Sequence, residues 1–281
     1  MQRVVFDTET FRLAVDEHGR LAEFTDRRSG RNHAESARPM PFAVLRTAAG
    51  EQPAVWARPI PGGLRLGFAG SPAEADLAVA VCGRSATFEV TALRGTEADS
   101  LTFCNGRLDL AAEPADPFAA CVLALNLKTN VPEMPGLNRR LRAIGYRKFG
   151  IVGARAALLG APPAELRGLI QEVVLASDAL PKSPVGGAWA LDTPKARGSY
   201  VFDLGDMSEF NVGEWIAMLK QLGFTQVEFH GAEARSFRFG DCMANPRLHP
   251  RGWDSVKAMI DRLHAAGIDA VLHTYAFCID K

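Results

Sequence analysis

The hydrophobic pattern of the chain changes near residue 199, and this change constrains the possible folds more than any other feature. Before it, short apolar runs alternate with a period of two and are bounded by Gly, Pro, Asn or Asp, which is typical of antiparallel β-strands. After it, strand-like runs alternate with amphipathic helical patterns, which is typical of parallel α/β units. The sequence therefore predicts two regions with different architectures.

The first region begins with a β-hairpin, in which Phe11–Val15 and Arg20–Phe24 alternate on either side of a turn. A helix is predicted at Pro163–Leu175, because Pro is favoured in the first turn of a helix. Further strand-like runs lie at 64–68, 76–82, 86–93, 101–110, 118–128 and 154–159. Short strands at regular spacing with turn signals between them predict an antiparallel β-sandwich over residues 1–180.

A turn-rich segment separates the two regions. Residues 181–187 hold two prolines and two adjacent glycines, and residues 193–198 hold a further Pro and Gly. Such a composition rarely lies inside a regular element. The sequence therefore predicts a linker at 181–198.

Three strands and two helices alternate in the second region, which covers residues 199–281. Both helices, at 211–222 and 252–266, repeat apolar residues at i, i+3, i+4 and i+7, and both are followed by a glycine, the usual residue just beyond a helix. The strands are predicted at 200–204, 225–230 and 268–275. Strands that are connected through helices are parallel, with right-handed crossovers.

The strand spacing in this region, roughly 35 residues, matches the repeat of a (β/α)8 barrel of about 270 residues. On this reading residues 199–281 hold the first three strands of such a barrel, and the sequence is the N-terminal part of a longer protein. The alternative is a small, complete three-stranded α/β domain beside the sandwich.

Polar side chains collect where the three parallel strands are predicted to end. They are Asp203, Glu228, His230, His273 and Tyr275. Because the carboxyl ends of parallel strands carry the chemistry in barrels, and because alternation is expected to place these side chains on the inner face, they are predicted to form a binding site for a polar ligand. Each also has an ordinary structural alternative: a paired buried carboxylate, a helix-capping Asp, a core His bonded to backbone, or a packed Tyr.

A divalent metal ion is the sharper alternative for Asp203, Glu228, His230 and His273, since mixed imidazole and carboxylate ligands can hold one. Their spacing matches no dense ligand motif, and the main interpretation contains no metal. The glycine pairs at 62–63 and 186–187 do not lead from a strand into a helix, so no phosphate loop and no cofactor are predicted.

The composition excludes several classes of partner. Basic and acidic residues both number 32, so no electrostatic footprint for nucleic acid or an anionic membrane is present. No apolar run approaches the roughly 20 residues of a membrane span. The five cysteines form no Cys-x-x-Cys pair, which indicates reduced thiols. The N-terminus shows no signal peptide, and a cytoplasmic location is favoured.

Several segments together resemble a known group of enzymes. They are 11–30, Ser-Pro-Val-Gly-Gly-Ala (183–188), Ser-Tyr-Val-Phe (199–202), Glu-Trp-Ile (214–216), Leu-Gly-Phe-Thr-Gln-Val-Glu-Phe-His (222–230) and Leu-His-Ala-Ala-Gly-Ile-Asp-Ala-Val-Leu-His-Thr (263–274). The set resembles the N-terminal part of large bacterial glycoside hydrolases of the α-galactosidase-like clan, in which a galactose-mutarotase-like β-sandwich precedes a catalytic (β/α)8 barrel.

The resemblance implies hydrolysis of glycosidic bonds in oligo- or polysaccharides by two carboxylates. In that clan these carboxylates lie on the fourth and sixth barrel strands, so the resemblance implies that they lie beyond residue 281 and that this segment alone is inactive. Early-strand residues such as Asp203, His230 and His273 would hold sugar hydroxyls. Two other hypotheses stay open: a non-catalytic carbohydrate-binding protein, and a metal-dependent sugar lyase or isomerase.

Overall fold

A computed structural model describes residues 3–110, 118–132, 140–182, 193, 198–203, 206–230, 236–238 and 241–273. The chain divides into two compact units, Met1–Ala188 and Trp189–Lys281, which we call the first and the second unit. Most of the predicted linker at 181–198 lies outside the described residues, and its boundaries stay a prediction. No helix in the described ranges has the length and apolar character needed to cross a membrane.

The first unit is built almost entirely from antiparallel strands. Its strands are β1 (Arg3–Asp7), β2 (Phe11–Asp16), β3 (Leu21–Asp26), β4 (Val44–Thr47), β5 (Gly50–Ile60), β6 (Gly63–Phe68), β7 (Glu74–Cys82), β8 (Ser85–Arg94), β9 (Ser100–Arg107), β10 (Ala119–Ala124), β11 (Thr129–Asn130), β12 (Arg140–Tyr146) and β13 (Arg155–Ala161). A 3₁₀ turn, Arg147–Phe149, and one α-helix, α1 (Pro163–Ala176), complete it. Strands β1–β3 form a small sheet, and the other ten form one sheet in the order β10-β13-β8-β7-β6-β5-β4-β9-β12-β11.

The prediction of a β-sandwich followed by the first three units of a (β/α)8 barrel is wrong. The first unit holds a single ten-stranded antiparallel sheet that approaches a barrel, and the described part of the second unit holds a three-stranded sheet and no closed barrel. Alternation identifies strands, but it does not show whether the strands divide between two sheets. Here bulges between Ala54 and Trp56 and between Asp76 and Leu77 bend long strands, so that one sheet curves around its own core.

The core of the first unit is a continuous apolar cluster with aromatic contacts at its centre. Phe11 and Phe24 are fully buried and stack with their ring centroids 4.7 Å apart, and Phe118 meets Phe24 edge-on at 6.0 Å. On the neighbouring strands β5 and β6, the Trp56 ring packs directly on Gly67. Glycine is required there because a Cβ atom would lie 2.0 Å from that ring. Aromatic burial of this extent stabilises a domain by several kcal/mol for each ring.

Helix α1 packs on the outer side of the large sheet, against β10 and β13. Its buried residue Leu169 joins a separate apolar cluster with Cys121 of β10 and Leu159 of β13. The burial of Cys121 raises the pKa of its thiol to about 12, so this cysteine behaves as an apolar core residue at neutral pH.

The second unit consists of β14 (Tyr200–Asp203), α2 (Val212–Leu222), β15 (Gln226–His230), α3 (Trp253–Ala265) and β16 (Asp269–His273). The strands lie in the order β14-β15-β16, and both pairs are parallel. The helices begin and end within one residue of their predicted limits, and α2 ends at Gly223 in a left-handed conformation with φ 77°, which glycine adopts without steric cost.

The two helices cover one face of this parallel sheet. Val227 and Phe229 of β15 are fully buried against Leu219 of α2 and against Met259 and Leu263 of α3. The opposite face is open among the described residues: Tyr200 is 53% exposed, Phe202 40% and Val271 41%. Since parallel sheets are normally buried on both faces, this open face is the unusual feature of the unit.

Candidate functional site

The register of the parallel strands brings three of the predicted site residues to the open face. Glu228 lies opposite Phe202 of β14 and Val271 of β16, and His230 lies opposite His273. Residues paired across neighbouring strands have side chains on the same face. Position 228 is therefore on the open face, and positions 230 and 273 follow it at the carboxyl ends of their strands.

Glu228 and His273 are in direct contact. His273 Nδ1 lies 2.7 Å from Glu228 Oε1, and the two side chains are partly exposed, 31% for His273 and 20% for Glu228. The carboxylate accepts a hydrogen bond when Nδ1 carries the proton, which holds the imidazole in one orientation. The register between β15 and β16 thus brings a carboxylate and an imidazole together on this face.

Aromatic rings lie beside this pair on the same face. Phe202 contacts the His273 ring with centroids 6.3 Å apart, and Tyr200 meets Phe202 edge-on at 5.8 Å. An exposed ring offers a flat apolar surface, while the phenol of Tyr200 adds a polar group at its edge. The open face therefore combines a polar pair with an apolar platform.

Asp203 does not belong to this arrangement. It lies opposite Phe229 and is 1% exposed, on the face that the helices cover, and its Oδ1 accepts a hydrogen bond from the Asp206 amide at 3.3 Å. The expectation that Asp203 shares a face with His230 and His273 is wrong. Strand β14 has only four residues, and its odd-numbered and even-numbered positions both carry an apolar side chain, Val201 and Phe202. Alternation therefore does not show which set of positions faces the core.

The other predicted site residues are described only in part. For His230 the structure describes the backbone pairing with His273 and not the side chain, and Tyr275 lies outside the described residues. The alternative metal set would need Asp203 from one face and Glu228 and His273 from the other, so the register does not bring these ligands together. Within the described ranges no cluster of three potential ligands is present.

A buried histidine in the second unit was missed by the sequence reasoning. His249 is fully buried in the loop between β15 and α3, and neither ring nitrogen has a hydrogen-bond partner among the described residues. Burial lowers the pKa of His249 below the usual 6.5. The negative charges of Asp203 and Glu209 act in the opposite direction and raise it, but by less. The sequence offers no periodic signal for this burial, because residue 249 lies in a loop.

Glu209, which faces His249, is held by its own set of partners. Its carboxylate accepts hydrogen bonds from Ser255 Oγ at 2.8 Å and from the Arg251 guanidinium. Arg251 and Ser255 hold the pKa of Glu209 below its ordinary value. His249 is thus a buried imidazole near the carboxylates of Asp203 and Glu209, and its burial favours the neutral form.

Comparisons with known proteins find similarity of structure alone. No protein-family model and no curated protein matches the chain. Two solved structures that match are of the alpha-N-acetylgalactosaminidase NagBb from Bifidobacterium bifidum, one in complex with Gal-NHAc-DNJ and one a quadruple mutant. The identities are 14% and 12%, and the TM-scores are 0.54 and 0.51.

The alignments cover 99% of this chain in both cases, but only 60% and 61% of the solved chains. The chain thus spans about three fifths of the length of the structures it matches. At these identities the likeness shows a shared fold and does not transfer residues, activity or substrates.

Proposed function

We propose that this chain is part of a glycoside hydrolase that acts on oligo- or polysaccharides, and that the open face of the second unit contacts the sugar. The observation that carries the proposal is the Glu228–His273 pair, 2.7 Å apart, beside the exposed rings of Phe202 and Tyr200. Sugars present hydroxyl groups around a ring whose C–H faces are apolar. A directional polar pair next to an aromatic platform is complementary to both features.

The likeness to a glycosidase in fold supports this reading without specifying the substrate. Because NagBb is named as an α-N-acetylgalactosaminidase, N-acetylgalactosamine is a reasonable first sugar to test, with galactose and glucose beside it. Glu228, His230 and His273 are proposed to bind sugar hydroxyls, and Asp203 to support the carboxyl end of β14 from the covered face.

The catalytic step is proposed to require carboxylates beyond the ones on this face. A glycosidase uses one carboxylic acid to protonate the leaving oxygen and a second carboxylate as nucleophile or base. Glu228 is engaged with His273, and Asp269 lies at the opposite end of β16 from that histidine. The solved structures with this fold extend well beyond the matched part. The 281-residue chain is therefore expected to bind sugar and not to hydrolyse it.

Sugar binding is tested by titrating the purified chain with N-acetylgalactosamine, galactose and glucose and following chemical shifts by NMR. Glu228→Gln and His273→Ala should each weaken the tightest interaction about 10- to 100-fold, as expected when a hydrogen-bonding group to a polar ligand is lost. Glu214→Gln and His264→Ala are matched controls, since both residues are exposed on the helices, and they should bind like the wild type.

Equal affinity in all four variants would contradict the assignment of the open face. Hydrolysis is tested separately with a panel of aryl glycosides. Turnover by the 281-residue chain that Glu228→Gln abolishes would show that a catalytic carboxylate is already present on this face, and would overturn the proposal that both lie elsewhere.

A further inference from the structure

The first unit contains a pocket of about 440 Å3 between α1 and the strands β7 and β8. It arises because α1 packs through Leu169 onto β10 and β13, which leaves the neighbouring strands uncovered on the same side of the sheet. This volume lies within the range of small-molecule sites, roughly 300–1,000 Å3. All of its lining residues belong to the first unit.

One wall of the pocket is held in place by ion pairs. Arg84, in the turn between β7 and β8, donates from Nη1 to Glu165 and from Nη2 to Glu172 of α1, both at 2.9 Å. These contacts fix the helix relative to the strands, and the cluster of one guanidinium and two carboxylates has a net charge of −1. The remaining surface of the wall is mainly apolar and includes Leu125 and Val173.

Arg155, at the start of β13, also lines the pocket but differs from Arg84 in its ion pairing. In the part of the chain that the structure describes, its guanidinium makes no ion pair and no side-chain hydrogen bond, although Glu89 is its cross-strand neighbour. The next residue on that face of β8 is Thr87, opposite Ala157, and its hydroxyl likewise has no partner among the described residues. Arg155 and Thr87 are therefore diagonal neighbours on adjacent strands, and their Cα atoms lie about 7–8 Å apart.

Two acidic residues also line the pocket: Glu172, which is paired with Arg84, and Glu9, which lies at the end away from Arg155. Glu9 lines the pocket where its amide donates to the Gly83 carbonyl at 2.8 Å. Ser85 lies close to that end and is paired with Leu159 of β13. Leu159 is four residues along the strand from Arg155. Four residues of a strand span about 13 Å.

We propose that this pocket binds an amphipathic monocarboxylate, with its carboxylate on Arg155 and Thr87 and its apolar tail along the Leu125 and Val173 wall. A guanidinium presents parallel N–H donors that match the two oxygens of a carboxylate, and a hydroxyl next to it supplies one further donor. The apolar wall favours a hydrocarbon or aryl tail over a sugar, because removing such a tail from water is favourable.

The test uses octanoate as the probe and 1-octanol as its neutral counterpart, each titrated into the 281-residue chain and followed by NMR. Octanoate should shift resonances of β7, β8 and α1 and bind more tightly than octanol. Arg155→Gln should weaken octanoate binding about 10- to 100-fold and leave octanol unchanged. Arg46→Gln, which removes an exposed arginine from β4, is the matched control and should change neither.

A second variant keeps the proposal testable if Arg155→Gln perturbs folding. Ala176→Phe places a ring at the end of α1 that lines the pocket, and it should reduce the affinity for octanoate and octanol alike. Absence of octanoate binding, equal binding of octanol, or an unchanged affinity in Arg155→Gln would each overturn the proposal. Because these residues belong to the first unit, none of these results bears on sugar binding by the second.

Discussion

The two units differ in how they cover the faces of their sheets. The first unit curves one antiparallel sheet around a core whose central side chains, such as Phe24 and Leu45, are fully buried. The second unit has a parallel sheet with helices on one side, where Phe229 is fully buried, and exposed rings on the other, where Phe202 lies. The comparison teaches that packing against a sheet can be completed within the first unit, whereas the described part of the second unit leaves one face of its sheet with partly exposed apolar side chains.

Their buried polar groups differ in the same way. Asp76 of the first unit is paired with two arginines: Arg65 Nε donates to it at 2.6 Å, and Arg94 Nη2 lies 2.8 Å away. His249 of the second unit has two ring nitrogens without hydrogen-bond partners in the described ranges. These two buried groups therefore differ in whether hydrogen bonds compensate their burial.

The largest expected effect follows from removing a core ring of the first unit. Phe24→Ala should destabilise that unit by about 3–5 kcal/mol, as is typical when a buried Phe is deleted, because Phe24 contacts both Phe11 and Phe118. Hydrogen exchange followed by mass spectrometry should show lost protection in β2 and β3. Phe149→Ala, at an exposed ring of the same unit, should cost less than about 0.5 kcal/mol; similar losses in both variants would show that the core is not where burial places it.

A smaller loss is expected from Asp76→Asn, about 1–3 kcal/mol at pH 7, because the arginines lose a charged partner. The hydrogen bond from Arg65 lowers the pKa of Asp76 below its ordinary 3.8, more than burial raises it, with a further hydrogen bond from Arg94. The unfolded state then binds the proton first, so this contribution is present above about pH 4 and is lost as the pH falls through the folded-state pKa.

The measurement for Asp76→Asn is urea unfolding between pH 7 and pH 2.5. The gap between wild type and variant should close at the acid end. Asp99→Asn, which removes an exposed partner of Arg147, should lie close to the wild type throughout. A gap that stays constant at all pH values would rule out the charge of Asp76 as its source.

His249 gives the second unit a pH dependence in a different window. Because burial lowers its pKa, the native state keeps the imidazole neutral while the unfolded state takes up a proton below about pH 6.5. The contribution of His249 to the free energy of unfolding is therefore fully present above about pH 6.5. It decreases as the pH falls towards the pKa that His249 has in the folded state. In His249→Leu the unfolding free energy should not show this slope between pH 7 and pH 5. A slope of unchanged size would assign it to other groups.

The smallest effect is expected on the open face. Phe202→Ser should change the unfolding free energy by no more than about 1 kcal/mol, since Phe202 is 40% exposed, while Phe229→Ser on the covered face should cost several kcal/mol. Denaturant unfolding of the two variants compares the faces directly. A large loss in Phe202→Ser would show that this face is buried in solution, and the contrast between the units would disappear.

Part of this architecture is readable from local sequence patterns. Helix α3 is predictable because Val256, Met259, Ile260 and Leu263 repeat at helical spacing, and Gly267 follows the helix at φ 79°. The direction of β14, β15 and β16 follows as well, because strands joined by helices run parallel. These features depend on neighbours within one or two turns of the chain.

The candidate site was only partly predictable for a related reason. Glu228 and His273 lie 45 positions apart, and their contact depends on the register between two strands. Asp203 was predicted on the wrong face because β14 is short and has apolar residues at both odd and even positions, so the pattern does not identify the buried face. His249 was overlooked because its burial depends on a loop and not on a periodic element.

The sequence by itself determined the helices, many of the strands and the change in character near residue 199, because periodicity and glycine stops act over a few residues. It did not predict the strands β1, β4, β5 and β12. Only the tertiary structure decided that ten strands join in one curved sheet and that the Glu228–His273 pair lies on an open face. It also decided that a pocket forms beneath α1. These outcomes depend on pairing partners and register between distant segments, where a shift of one residue exchanges the two faces of a strand.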